Sequence, residues 1–324
     1  MPTALRIHPH RGDPVAAGVV VLTLFTLLTL GRFADEWGDL PRFLLAAAVA
    51  GVVVALALGA DAGDGIPRPY ESVVYVASFV LLLLALTQLA AVLGAEDGSS
   101  GTVVWVGSLL LGYCTHLSTR RNSAIMTLLA ALTAVVVVVA FVDWVFSPDS
   151  ITTFRWILFV CALVLTLGAV QRRDAARRHA VSLVDAVGFT VLAIGATLVL
   201  DLIIGVIGQG FFGGDTGVPD GGPLGWELVL LAFGFGLIAY GSVDRERVPV
   251  FLGVLVLGFF FILAVIPGED GPSLVGWPIV LLILAGALLA IGLRPRQDLP
   301  PEPPVPAAGP TTPPPTAPTA VAEP

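Results

Sequence analysis

The sequence predicts an all-α polytopic transmembrane helical bundle of about ten spans, followed by a disordered C-terminal tail. Three observations lead there. Hydrophobic residues make up 56% of the chain and charged residues only 12%; mean hydropathy is +0.93; and the whole fixed positive charge is sixteen arginines, with no lysine, gathered between long apolar stretches. An ordinary soluble domain carries about a quarter charged residues, so lipid is the expected solvent for most of this chain.

A hydrocarbon core about 30 Å thick needs roughly 17–25 helical residues at about 1.5 Å each. The first apolar stretch, 15–30, follows Arg6 and Arg11 and is succeeded by Gly31, Arg32 and Phe33 rather than a small-residue cleavage pattern. It is therefore expected to remain as an uncleaved span. Stretches 43–60, 70–94 and 102–117 follow, the last being short. Stretch 123–146 contains the β-branched run of valines at 135–139. Such a run favours strand in water, but a spanning segment must satisfy its own backbone hydrogen bonds, and helix does so. The remaining stretches are 151–170, the long 181–208, the short 224–240, then 248–266 and 274–293. No segment shows the polar/apolar alternation of a membrane β-strand.

The arginines orient these spans. With a cytoplasmic N-terminus, the inner segments hold Arg6, Arg11, Arg68, Arg120, Arg121, Arg172, Arg173, Arg177, Arg178, Arg245, Arg247, Arg294 and Arg296, thirteen in all. The outer segments keep Arg32, Arg42 and Arg155. The positive-inside bias then places both chain ends in the cytoplasm of a multi-pass plasma-membrane protein. Trp37, Trp105, Trp144, Trp226 and Trp277 fall near the outer ends, where an indole bridges headgroup and hydrocarbon. The net charge of −8 is spread over both sides and offers no basic surface for nucleic acid. Arg172, Arg173, Arg177 and Arg178 could touch anionic lipid headgroups.

Beyond Arg294 the thirty residues from Pro295 contain twelve prolines. Proline withholds a backbone donor and favours extended polyproline II, so this stretch is expected to be a disordered cytoplasmic tail. Its clusters at 300–306 and 313–315 offer docking sequence for an aromatic groove on a protein partner.

One set of residues singles itself out for chemistry. At 100° per residue, Thr190, Thr197, Asp201, Gly205 and Gly208 share one face of the seventh span. An acid inside a membrane is costly and marks a proton or cation path by default. No complementary intramembrane base is evident, although Arg155 at the outer start of the sixth span could reach Asp201; the competing reading is that this span outruns the bilayer and leaves Asp201 near the outer headgroups. A second small and polar face joins Ser108, Gly112, Thr115 and His116 in the fourth span. Cys114 and Cys161 read as packing residues, not as a metal pair. His8, His10 and His179 fall in the N-terminal segment or a basic loop. No H-E-x-x-H helix, P-loop or dinucleotide glycine fingerprint occurs, so neither a catalytic activity nor a cofactor is expected.

The lysine-free composition, rich in Ala, Val, Leu, Gly and Arg, resembles that of multi-pass membrane proteins from bacteria with G+C-rich genomes. Five spans in each half, with opposite orientations, is similar in plan to the five-plus-five inverted repeat of drug/metabolite-type transporters. The short spans do not correspond between the halves, however, as interrupted helices of an inverted repeat should. The functional expectation is a non-enzymatic scaffold or regulatory component of the membrane. The alternative is a small-solute or ion-coupled permease using the polar face around Asp201.

Overall fold

A computed structural model describes residues 12–33, 36–59, 67–96, 98–148, 150–212 and 224–265. Among them there are nine α-helices and no strand: α1 (Gly12–Arg32), α2 (Asp39–Gly59), α3 (Pro69–Val92), α4 (Ser100–Arg121), α5 (Ala124–Phe146), α6 (Ile151–Arg172), α7 (Arg177–Phe212), α8 (Leu224–Asp244) and α9 (Arg247–Val265). All nine belong to one compact unit. The tenth apolar stretch, 274–293, and the proline-rich tail lie outside the described residues.

Seven helices, α1, α2, α3, α5, α6, α7 and α8, are long and apolar enough to cross a membrane, and α9 is apolar over Arg247–Leu263. The coarse result is a membrane-embedded helical protein. α4 has the length, 22 residues, but serine, threonine, glycine and histidine dilute its apolarity. The helices also outrun the apolar runs inside them. α4 ends at Arg121 and α7 begins at Arg177 and runs 36 residues, because backbone hydrogen bonding does not stop where hydrophobicity does.

Large apolar side chains face outward. Trp156, Val160, Val164 and Leu167 form an exposed stripe on α6, of whose apolar window only 17% is buried. In water such a surface would drive aggregation; in hydrocarbon it is the expected exterior. The interior is made of small residues instead. Ala46, Ala50, Val53 and Ala57 line the buried side of α2 and let it close on Val74, Tyr75 and Leu81 of α3. Cys114, Leu117 and Met126 extend the same core to α4 and α5.

α7 is the central helix of the second half, packing against α5, α6 and α9. Its Gly188 and Gly195 sit over Leu252 and Phe259 of α9; a Cβ on Gly188 would lie 2.7 Å from Leu252, and one on Gly195 would lie 3.0 Å from Phe259. Close approach through glycine replaces the hydrophobic drive that lipid cannot supply between membrane helices. Tight turns join the helices. Asn122 takes left-handed geometry, φ 49°, to end α4 just before α5, a conformation its side chain tolerates better than most.

Three placements differ from the sequence expectation. Arg155, expected among the outer-segment charges at the start of the span 151–170, lies in the second turn of α6 and is only 5% exposed. His179, assigned to a basic loop, lies buried in the first turn of α7. Trp226, assigned to the outer headgroup belt, is buried among aromatic rings, its ring tilted 56° to that of Trp156 at 5.0 Å. For His179 the cause is the helix start: α7 begins at Arg177, before the apolar run at 181, and carries the imidazole into a packed position.

Candidate polar clamp between α6 and α7

The buried residues of α6 are Arg155, Ala162 and Ala169, seven apart, and therefore on one face. The two alanines let α7 come close, and the guanidinium at the N-terminal end of that face then reaches across. Arg155 Nε donates to Thr197 Oγ1 at 3.1 Å, its Nη2 donates to the Thr197 carbonyl at 3.0 Å, and the same nitrogen pairs with Asp201 Oδ2. Thr197 Oγ1 passes its own hydrogen to the Ile194 carbonyl at 2.8 Å. Thr197 and Asp201 are four residues apart and so stand on the same side of α7, which is what one guanidinium needs to grip both.

The electrostatics are asymmetric. The Arg155 side chain is 6% exposed and that of Asp201 36%. Removing an arginine from water costs several kcal/mol unless charge and hydrogen bonds compensate it, and here both do. The pair joins the start of α6 to the second half of α7: Arg155 is the fifth residue of α6, and Asp201 the twenty-fifth of α7. At about 1.5 Å per residue that puts Asp201 about 36 Å from the helix start at Arg177. Asp201 is thus partly exposed and held in a salt bridge with Arg155, the cation the sequence offered for it.

The rest of the predicted face separates. Thr190 is buried, donates to the Ala186 carbonyl at 2.8 Å, and lines a 540 Å³ cavity among α4, α5, α6 and α7 that neither Thr197 nor Asp201 touches. Ser100 donates to Asp143 Oδ2 beside this cavity, while its wall is otherwise apolar, with Leu132, Val136 and Phe189. Gly205 and Gly208 continue α7, and their surroundings lie outside the described residues. The second face does not join the first. Ser108, Gly112, Thr115 and His116 are all exposed on α4, and Ser108 Oγ bonds back to the Val104 carbonyl at 2.6 Å.

Sequence reasoning missed a second polar cluster at the opposite ends of the helices. His179 Nδ1 lies 2.5 Å from Thr127 Oγ1 and its Nε2 lies 2.7 Å from Asn122 Oδ1. Thr127 Oγ1 in turn lies 2.6 Å from Ser118 Oγ. The His179 ring thus has an oxygen partner at each nitrogen, and its tautomer sets which of the two bonds it donates. The signal available was the density of polar residues at 118–127; its partner, more than fifty residues later, had none. Among the described residues no three His, Cys, Asp or Glu side chains gather as a metal site.

No protein-family model, curated protein or solved structure matches the chain. The functional reading accordingly rests on its own geometry.

Proposed function

We propose that the chain is a ten-span integral membrane protein, cytoplasmic at both ends, that acts as a non-enzymatic scaffold or regulatory component. The observation that carries this reading is the Arg155 clamp. A transport path around Asp201 needs Asp201 and Thr197 to line a continuous polar cavity. Instead Thr197 is engaged through both its hydroxyl and its carbonyl, and Asp201 through the guanidinium, so these groups fasten α6 to α7. The proline clusters at 300–306 and 313–315 supply partner-docking sequence on the cytoplasmic side.

The test is reconstitution. Proteoliposomes containing the chain, loaded with a pH-sensitive dye and driven by a potassium diffusion potential, should show the same proton and cation leak as empty liposomes. Asp201→Asn should leave that leak unchanged. A flux above background that Asp201→Asn abolishes would replace the scaffold reading with the ion-coupled permease.

A further inference from the structure

A groove of 390 Å³ opens sideways between α6 and α8, with α7 as its floor. Its walls are Thr166 and Ala169 of α6, Val184 and Val187 of α7, and Phe233 and Leu237 of α8. Thr166 spends its hydroxyl on the Ala162 carbonyl at 2.8 Å, so the lining is effectively apolar. Toward the outer side α6 and α8 close together through Phe159 and Phe233, whose rings meet edge to face at 6.3 Å. Below that contact the two helices leave the groove open, and a Cβ on Gly236 would meet no atom within 4 Å.

The inner mouth has the opposite character. Arg173 lies over the Tyr240 ring at 5.8 Å and donates to Asp244 Oδ1 at 3.1 Å. Arg177 reaches the same oxygen at 3.7 Å and donates to the Asp244 carbonyl at 2.9 Å. One carboxylate thus serves two guanidiniums, which stay 49% and 60% exposed. Across the two turns that meet here, six arginines stand against three acids, Asp174, Asp244 and Glu246. The mouth is therefore net positive, and the arginine bias places it at the cytoplasmic leaflet, where anionic lipids concentrate.

We infer that this groove binds an anionic phospholipid, one acyl chain lying along α7 between α6 and α8 and its phosphate held by Arg173 and Arg177. The match is to both halves of the ligand. A soluble anion would use only the mouth, and an uncharged lipid only the groove. A guanidinium pair is also suited to phosphate by its planar fork of donors. The inference is independent of the scaffold reading and survives or fails without it.

Native mass spectrometry of the detergent-purified chain, titrated with dioleoylphosphatidylglycerol or dioleoylphosphatidylcholine, provides the test. The anionic lipid should be retained more tightly by roughly fivefold for each arginine engaged. Arg173→Gln combined with Arg177→Gln should erase the preference, whereas Asp244→Asn, which removes the negative charge the two guanidiniums share, should increase it. Gly236→Leu, whose side chain enters open space, should cut phosphatidylglycerol occupancy severalfold while leaving the melting temperature unchanged. Equal occupancy by the two lipids, or undiminished binding in Gly236→Leu, overturns the inference. So does glycerol phosphate competing as well as the intact lipid, since the mouth alone would then be the site.

Discussion

Arg155 is the residue on which most of the polar energetics turns. It is the most deeply buried charged side chain of the α6–α7 contact, and its three hydrogen bonds all end on two residues of α7. Truncating one partner of a buried ion pair costs more than the pair contributes, because the other charge is stranded. The two halves are not equivalent here. Arg155→Ala leaves Asp201 partly exposed to solvent and is expected to cost about 2 kcal/mol. Asp201→Ala strands a buried guanidinium and is expected to cost about 3 kcal/mol. Unfolding by sodium dodecyl sulfate titration in mixed micelles measures both. The reverse order, with Arg155→Ala the more damaging, would mean that guanidinium packing outweighs its charge. At the other helix ends, His179→Ala removes a ring bonded on both nitrogens and should cost about 1–3 kcal/mol by the same titration.

Among the elements, α7 shows how helices associate where water is absent. Gly188 and Gly195 press against Leu252 and Phe259 of α9, whereas Gly236 of α8 faces open space. Gly188→Val should therefore push α9 away and cost about 1–3 kcal/mol, while Gly236→Ala changes stability by less than about 1 kcal/mol. Equal effects in the two variants would show that helix propensity, not contact, governs these sites. The helical character of each segment was legible in the sequence, because a long apolar run in lipid has no other way to satisfy its backbone. Lateral meetings were not. Arg155 and Asp201 lie 46 residues apart, and His179 and Thr127 lie 52 apart, in a chain where any two helices could be neighbours. The polar face of α7 was readable as a face, yet its division between a cavity at Thr190 and a clamp at Thr197 depends on which helix packs against each turn. Asp201 drew attention as an acid in an apolar stretch with Arg155 a cation that could reach it, but only the fold shows the same guanidinium gripping Thr197 as well.

For the bundle as a whole, the side-chain contacts sort the helix ends into two groups. Arg121 donates to the Leu58 carbonyl, His179 joins Asn122, and Arg173 and Arg177 join Asp244, which gathers the ends of α2, α4, α6 and α8 with the starts of α5 and α7. Ser100 with Asp143, Arg155 with Asp201, and Trp156 with Trp226 gather the opposite ends. The first group carries Arg120, Arg121, Arg172, Arg173, Arg177 and Arg178, two of them sharing Asp244, whereas the opposite ends carry Arg32, Arg42 and Arg155, the last paired with Asp201. Free positive charge is thus concentrated at one end of an otherwise apolar bundle, and insertion follows positive charge rather than net charge. In a chain with Cys114→Ala and Cys161→Ala, a new cysteine at Ser150 should react with a membrane-impermeant maleimide on intact cells, while one at Ala175 should react only after permeabilisation. Replacing Arg172, Arg173, Arg177 and Arg178 by glutamine should weaken that asymmetry, because those four residues supply most of the charge flanking α6 and α7. External labelling of Ala175→Cys with all arginines present would invert the orientation and move the basic groove mouth to the outer leaflet.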